Sequence, residues 1–474
     1  MERPNVLWIT LESVRADHTP LYGYGRNTTP YLQRLCERED ATLFENGIAA
    51  SIWTPPSSAS MLTGTHLSTH DLGTDGKAEY KIPDDLETLP ERLSRAGYET
   101  ALFSSNSFLS AATGLDRGFD YSKFVRMTPS NFAGIDEVAR DSWRCLLSRF
   151  LESPTLDPET LRRDVRDGKN DLVRDQARRW LKRRWSGTSP FFAYAHVFSP
   201  HHPYLPPSRY LDTYPSDAPL DVEEACSLVS DLYADGEEMT RRVATGLDLT
   251  DGEWEAIRSL YDAEIRFADR TTHEIIETAR SRSDRDLVIV VTADHGDLFG
   301  EYGLLSHDLV CHDGLIKVPM VTAGIDDVAD GPDELSQHVD LSYTIGALAG
   351  ASTEGFEGRD LREPGRRYAI SQRGVADLEA YREHDPDFGS EFFEDPITAV
   401  RTTEHKYVTD GRSETLYRLP DESQDRLADE PETASELAAV LEREEIEWSR
   451  GDDGERAEFD DETRGRLRDL GYIQ

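Results

Sequence analysis

Four stretches of the 474-residue chain carry side chains that could do ester chemistry together. Asp294 and His295, in the run Asp294-His295-Gly296-Asp297, place a carboxylate and an imidazole side by side. Both are good ligands for a divalent transition metal, and the glycine lets the backbone turn tightly. Glu12 closes the apolar run Val6–Leu11 and offers a second carboxylate ligand. Thr54 lies in Ser51–Gly64, where a short apolar entry delivers it to Pro55 and Pro56. Two prolines stop a strand but are tolerated in a first helical turn, so a helix is expected from Ser57 onward. A hydroxyl at that positive helix end gains from the macrodipole and from unpaired N–H groups when it ionises or meets an anion. A nucleophile attacking a phosphate or sulfate ester requires this. A threonine there is also an ordinary helix cap, and only the other stretches tip the reading toward a nucleophile. His201, in Ser199-Pro200-His201-His202-Pro203, is held between prolines and is expected to be functional, with His202 assisting. His307 and His312 follow the metal candidates across a glycine-containing loop; His66, His70 and His312 are expected to be structural.

These side chains need a frame, and the chain supplies one. Val6–Leu11, Glu99–Ser104, Pro190–Phe198 and Asp286–Ala293 are apolar runs without alternation, as in strands covered on both faces. Each ends in polar residues: Glu12-Ser13, Ser104-Ser105-Asn106-Ser107, Ser199-Pro200-His201-His202 and Asp294-His295. In open α/β sheets, ligands bind at the carboxyl ends of strands. Helices are expected at a threonine-capped start around Thr28–Leu32, over Leu86–Ala96 before Gly97, and along Glu255–Ser281. Residues 125–187 are arginine-rich with helical spacing and no readable chemistry, and 207–255 read as an acidic surface excursion. From about residue 366 short strands follow at Tyr368–Gln372, Ala399–Thr402 and Lys406–Thr409, with helical spacing over 432–448 and 461–470. The expected architecture is α/β, a mixed, mostly parallel central sheet sandwiched by helices (1–365), with a smaller C-terminal α/β subdomain (366–474).

The formal charge is −40, from 92 acidic and 52 basic residues, only 7 of them lysine. An acidic, lysine-poor chain that keeps its apolar segments suits a globular protein in high salt, and we expect a halophilic source. Nucleic acid is disfavoured as a partner. The four cysteines form no CxxC, so neither a disulfide framework nor a thiolate zinc site is suggested. With no basic, apolar leader and no run of the ~18 residues that span a bilayer, a cytoplasmic protein without a transmembrane segment is expected.

The segments NVLWITLESVRADH, TTPYLQRL, TPPSSASMLTG, LPERLSRAGYETALF, GLDRGFDYSKF, FFAYAHVFSPHHPYLPP, TADHGDLFGEYGLLSHD and AVRTTEHKYVTDG, with the ending RLRDLGYI, resemble in this order the sulfatase family of the alkaline phosphatase superfamily. The resemblance implies that family's sheet, a metal-assisted nucleophile and a C-terminal subdomain. It departs from the family at the C/S-x-P-x-R motif, where Thr54-Pro55-Pro56-Ser57-Ser58 lacks both the residue converted to formylglycine and the arginine. A lysine and a histidine of the family align near Ser105 and Ser107, and Glu12 and Ser13 stand where aspartates are usual. The remaining set, Glu12, Thr54, Asp294 and His295, resembles the single-metal site of lipoteichoic acid synthases and phosphoethanolamine transferases, which use a threonine nucleophile.

The resemblance implies one divalent ion on Glu12, Thr54, Asp294 and His295, with Zn²⁺ or Mn²⁺ favoured over Ca²⁺ or Mg²⁺. It places His201 and His307 at the equatorial oxygens and the leaving group. The expected activity is hydrolysis or transfer of a phosphate ester or diester, with a small-molecule, glycan or lipid ester as substrate. Two alternatives stay open: a sulfatase acting without formylglycine, and a catalytically silent binding protein on the same scaffold.

Overall fold

The computed structural model describes residues 3–124, 168–329, 334–448, 455–459 and 464. Its frame is a seven-stranded sheet. In chain order the strands are β1 (Asn5–Leu11), β2 (Ala41–Leu43), β3 (Glu99–Ser104), β4 (Tyr121–Phe124), β5 (Phe191–Val197), β6 (Leu287–Ala293) and β7 (Met320–Ala323). The spatial order is β2-β7-β6-β1-β5-β3-β4, and only β7 runs against the others. β1 lies at the centre with every residue buried, which explains its unbroken apolar run. Asn5, the one polar residue at its entry, ties both flanks together: its amide donates to Ser283 Oγ at 2.7 Å and its carbonyl accepts from Phe191 N–H at 2.9 Å.

Helices cover both faces: α1 (Pro30–Cys36), α2 (Thr54–Thr63), α3 (Leu89–Arg95), α4 (Gly168–Arg183), α5 (Val222–Leu232), α6 (Gly236–Thr245), α7 (Asp251–Arg282) and α8 (His338–Leu348). α3 and α7 each open on a capping box, Thr88 with Glu91 and Thr250 with Glu253, which satisfies the first orphan N–H groups reciprocally. A four-stranded antiparallel sheet, β8 (Ala369–Arg373), β9 (Ile397–Arg401), β10 (His405–Thr409) and β11 (Glu414–Arg418), with α9 (Pro431–Arg443), forms the C-terminal subdomain. It docks on the first unit through Gln372 N–H to Ala50 O at 2.9 Å and Ser371 Oγ to Ala49 O at 2.6 Å. Among the described residues no helix is long and apolar enough to cross a membrane.

Four local expectations need correction. α2 starts at Thr54 rather than Ser57, because Trp53 is the extended flanking residue and Ser57 N–H already bonds to Trp53 O at 3.3 Å. The first turn of α1 is capped by Asp269 of α7, which accepts from Tyr31 N–H and Leu32 N–H at 2.9 Å each, and not by a threonine. Residues 207–255 are more than a surface excursion: α5 buries Ala225, Cys226, Val229 and Leu232. The C-terminal sheet has a fourth strand, Glu414–Arg418, beyond the three expected. The expected helices at 461–470 and over 125–167 fall outside the described residues.

α2 is buried on every side. Three of its polar side chains are absorbed locally: Ser57 Oγ donates to Ser51 O, Thr63 Oγ1 to Ala59 O, and Ser60 Oγ meets His70 Nε2 at 3.1 Å. Gly64 closes it at φ +70°, and a Cβ there would stand 2.6 Å from the Phe356 ring, so only glycine fits.

Candidate metal centre and nucleophile

The sheet register brings the two carboxylates together. Leu11 faces Val197 on one side and Ala293 on the other. The ladder runs one step beyond, with Glu12 N–H to Val197 O at 3.0 Å and Asp294 N–H to Leu11 O at 3.1 Å. Glu12 and Asp294 therefore leave the carboxyl ends of adjacent strands side by side, both completely buried. Thr54, in the first turn of α2, points its hydroxyl at Glu12 and His295: Oγ1 is 3.3 Å from Glu12 Oε1 and 3.3 Å from His295 Nε2. His201 Nε2 stands 3.7 Å from Glu12 Oε1, and the His307 ring centroid lies 4.6 Å from that of His295. All six expected site residues thus meet in one place.

Four further residues complete the setting. Glu12 Oε2 pairs with His196 Nε2 at 3.1 Å, and Glu12 Oε1 accepts from Asn106 Nδ2 at 3.1 Å. Tyr204 donates to Asp297 Oδ2 at 2.5 Å, and Asp297 Oδ1 stands 3.9 Å from His307 Nδ1. Sequence reasoning passed over His196 because it sits inside a strand; the signal was an imidazole in an otherwise apolar central run. Asn106 lay in a polar cluster already noted at the end of β3, without a role.

The donor set fits a divalent ion. Asp294 Oδ1 accepts from Ser13 N–H and His295 N–H, while its Oδ2 is buried and makes no hydrogen bond. His295 Nδ1 is tied to Gly296 O at 2.7 Å, which leaves Nε2 facing Thr54. Among the described residues no lysine or arginine pairs with Glu12 or Asp294. Two buried carboxylates without a cation to balance them are costly, and a metal ion on Glu12, Asp294, His295 and Thr54 removes that cost.

The histidines divide by surroundings. Burial and the neighbouring His307 pull His295 down to about 3, and burial with His202 and His307 holds His201 well below the usual range. Burial also opposes charge on His196 and His307, but Glu12 in the first case and Asp297 in the second more than offset it, and both are raised. His201 and His295 are thus held neutral, as ligands or acceptors, while the carboxylates beside His196 and His307 shift those two the other way. His70, bonded to Ser60, and His312, which caps Asp313–Ile316 through Gly314 N–H, are structural as expected. A cleft of ≈ 790 Å³ opens over the site, lined in part by Trp53, His202, Met239, His307, Asp308 and Tyr381.

The family model described as sulfatase matches residues 4–351. The choline-sulfatase of Rhizobium meliloti is 25% identical over 426 residues, covering 86% of this chain and 78% of the relative. A multifunctional alkaline phosphatase superfamily protein of Trinickia caryophylli is 24% identical over 449 residues, covering 85% and 84%. The crystal structure of the phosphonate monoester hydrolase of Agrobacterium radiobacter superposes with a TM-score of 0.69 at 20% identity, covering 94% of this chain and 95% of that one. The same sheet and helices are therefore shared across proteins named for different esters. Since the matched segment contains every candidate side chain described above, the chain belongs to the sulfatase family.

Proposed function

We propose that the protein is a metal-dependent hydrolase or transferase of phosphate esters or diesters, with Thr54 as its nucleophile. The observation that carries this reading is the buried, unbonded Asp294 Oδ2, beside Glu12, His295 and a threonine hydroxyl at a helix N-terminus. A bound divalent ion would supply Lewis-acid stabilisation of charge on the transferring group and of the Thr54 alkoxide. Thr54 Oγ1 loses its proton to solvent and attacks phosphorus in line. The Thr54 Oγ1–P bond forms as the bond to the leaving oxygen breaks; His201 and His307 face the equatorial oxygens, and His307 protonates the departing alcohol. Water, or an acceptor alcohol in a transferase, then displaces the phosphothreonine.

Phosphorus is favoured over sulfur for a chemical reason. A formylglycine hemiacetal sulfate collapses by elimination, and a sulfothreonine has no such exit, whereas a phosphothreonine can be displaced at phosphorus. The second reading, a sulfatase that works through Thr54, draws support from family membership and from the choline-sulfatase relative. A small-molecule, glycan or lipid ester would enter through the cleft beside Trp53 and Tyr381. The charge of −40 with 7 lysines supports a high-salt setting, and a cytoplasmic location is part of the same proposal.

The test is turnover of matched aryl sulfate, phosphate monoester and phosphodiester in high salt with Zn²⁺ or Mn²⁺, by the wild type and by Thr54→Ala. Phosphoester turnover that needs metal and falls on the order of 10³-fold or more in the variant is expected. Thr54-dependent sulfate release would transfer the conclusion to the second reading. A protein that holds no metal and cleaves no ester would be a binding protein on this scaffold.

A further inference from the structure

The cleft above the carboxylates is walled by three imidazoles that converge from two loops. His201 and His202 follow β5, and His307 follows the antiparallel pair Leu298–Phe299 and Leu305–Ser306. One ring nitrogen of each lies within 4.8 Å of one nitrogen of each of the others, and all three rings are buried. Their orientations are set from behind. His201 Nδ1 bonds to His202 O at 2.8 Å, so its Nε2 faces forward, and its ring stacks on Phe198 with centroids 5.0 Å apart. His202 stacks on Tyr233 of the segment after α5, centroids 4.7 Å apart and planes within 15°. His307 Nδ1 meets Ser306 Oγ at 3.1 Å, with Asp297 behind it and Tyr204 holding Asp297. Backing of this kind, by carbonyl, hydroxyl and carboxylate, fixes the tautomer of metal-binding histidines and raises their basicity.

We propose that His201, His202 and His307 hold a second divalent transition-metal ion, of the class Zn²⁺ represents, beside the ion on Glu12, Asp294, His295 and Thr54. Three imidazoles that could not all be protonated so close together are a nitrogen site suited to a borderline metal. With metal–nitrogen bonds of about 2.0–2.1 Å, three donors on a tetrahedral ion stand about 3.4 Å apart, so nitrogens now within 4.8 Å of one another would close by up to about 1.4 Å. A fourth position remains open to the cleft, as in catalytic rather than structural zinc sites. Because His201 Nε2 is 3.7 Å from Glu12 Oε1 and the His295 and His307 rings are 4.6 Å apart, the two ions are neighbours. That is the arrangement in which two metals clamp the attacking and leaving oxygens of one ester. The inference deepens the function proposed above and rests on it for the position of the ester. In it, His201 and His307 would meet the substrate oxygens through the ion, and the ion would take the place of a histidine proton in stabilising the departing oxygen.

The experiment counts ions. Purified full-length wild type, His202→Phe, His307→Gln and Asp294→Asn are equilibrated with Zn²⁺, freed of unbound metal and measured by elemental analysis, with circular dichroism to establish that each is folded. His202→Phe retains a ring against Tyr233. Co²⁺ replaces Zn²⁺ in a parallel set, to read visible d–d absorption. The expected result is two ions per wild-type chain, one in His202→Phe and in His307→Gln, and one in Asp294→Asn, with the Co²⁺ spectrum of Asp294→Asn that of a nitrogen-rich site. One ion in the wild type, retained in both histidine variants and lost in Asp294→Asn, would overturn the second site and leave the first. Two ions in every histidine variant would overturn it as well. One ion lost in the histidine variants and retained in Asp294→Asn would support the histidine site and sink the carboxylate one.

Discussion

Two buried clusters of charge sit in this protein, and they are built on opposite terms. In the C-terminal subdomain Lys406 is completely buried, paired with Asp313 Oδ1 at 3.1 Å and with Glu422, while Arg401 binds Asp313 Oδ2 at 2.8 Å. Two cations face two anions. Burial works against charge on Asp313 and on Lys406, but each one's partners outweigh it, so Asp313 is driven well below the carboxylate range and Lys406 is raised. At the carboxyl ends of β1 and β6, Glu12 and Asp294 have His196, Asn106, backbone N–H groups and the Thr54 hydroxyl, but no lysine or arginine among the described residues. The first cluster is closed and joins the subdomain to the short helix at Asp313; the second is open and asks for a cation. A buried charge cluster is thus informative about function only after its sign has been summed.

The contrast can be broken most severely at the open cluster. Asp294→Asn retains the backbone contacts of Oδ1 but removes the charge, and kcat/KM should fall on the order of 10³-fold; a loss under tenfold in steady-state kinetics would mean that Asp294 holds no catalytic ion. At the closed cluster the damage should be to stability instead. Lys406→Met leaves Glu422 and part of Asp313 unbalanced and should cost about 3 kcal/mol in denaturant unfolding, with turnover per folded molecule retained. A change below about 1 kcal/mol would show that the network tolerates an open charge after all.

Metal titration separates the clusters again. At a free ion concentration of about 100 times Kd, stability should rise by about 2.7 kcal/mol for each ion bound, in the wild type and in Lys406→Met alike. A rise of the same size in the double variant Asp294→Asn/His202→Phe would place the stabilising ion elsewhere. The smallest expected effect belongs to a buried polar group that carries no charge. Burial holds His70 down to about 3, so it is neutral in the fold against an ordinary value near 6.5 when unfolded. Its contribution is complete above pH 6.5 and is lost as pH falls toward 3, by about 2 kcal/mol between pH 6.5 and 5. His70→Gln should flatten the stability–pH curve by that amount; an unchanged slope would mean that His70 titrates normally.

Much of this was legible because strand ends declare themselves. β1, β3, β5 and β6 are apolar runs that stop at polar residues, and in a parallel sheet those stops gather at one edge, so Glu12, Asp294, His295 and His201 could be placed from pattern alone. What escaped notice depended on facing rather than order. His196 is one residue among seven in a buried strand, and only the register that sets it opposite Thr10, two residues before Glu12, makes it a partner of that carboxylate. The histidine trio was half seen: His201 and His307 were singled out, but they stand 106 positions apart, and no spacing rule connects them to each other through His202. The start of α2 was misplaced by three residues because prolines mark a first turn without saying whether they open it or precede it.

The complete enclosure of α2 carries a last consequence. A helix held between the sheet and α8, with Ser342 Oγ bonded to Met61 O and Gly64 locked against Phe356, cannot shift without opening the core. Thr54 therefore inherits the rigidity of the whole domain. Its amide neighbours in α2 should exchange with solvent only when the entire unit unfolds. Of the residues lining the cleft, Met239 lies in α6 and Tyr381 outside the central sheet, so the rim there can change while the Thr54 hydroxyl stays where it is. A fold with one anchored oxygen and a separately built rim can offer the same fixed point to esters of different shape.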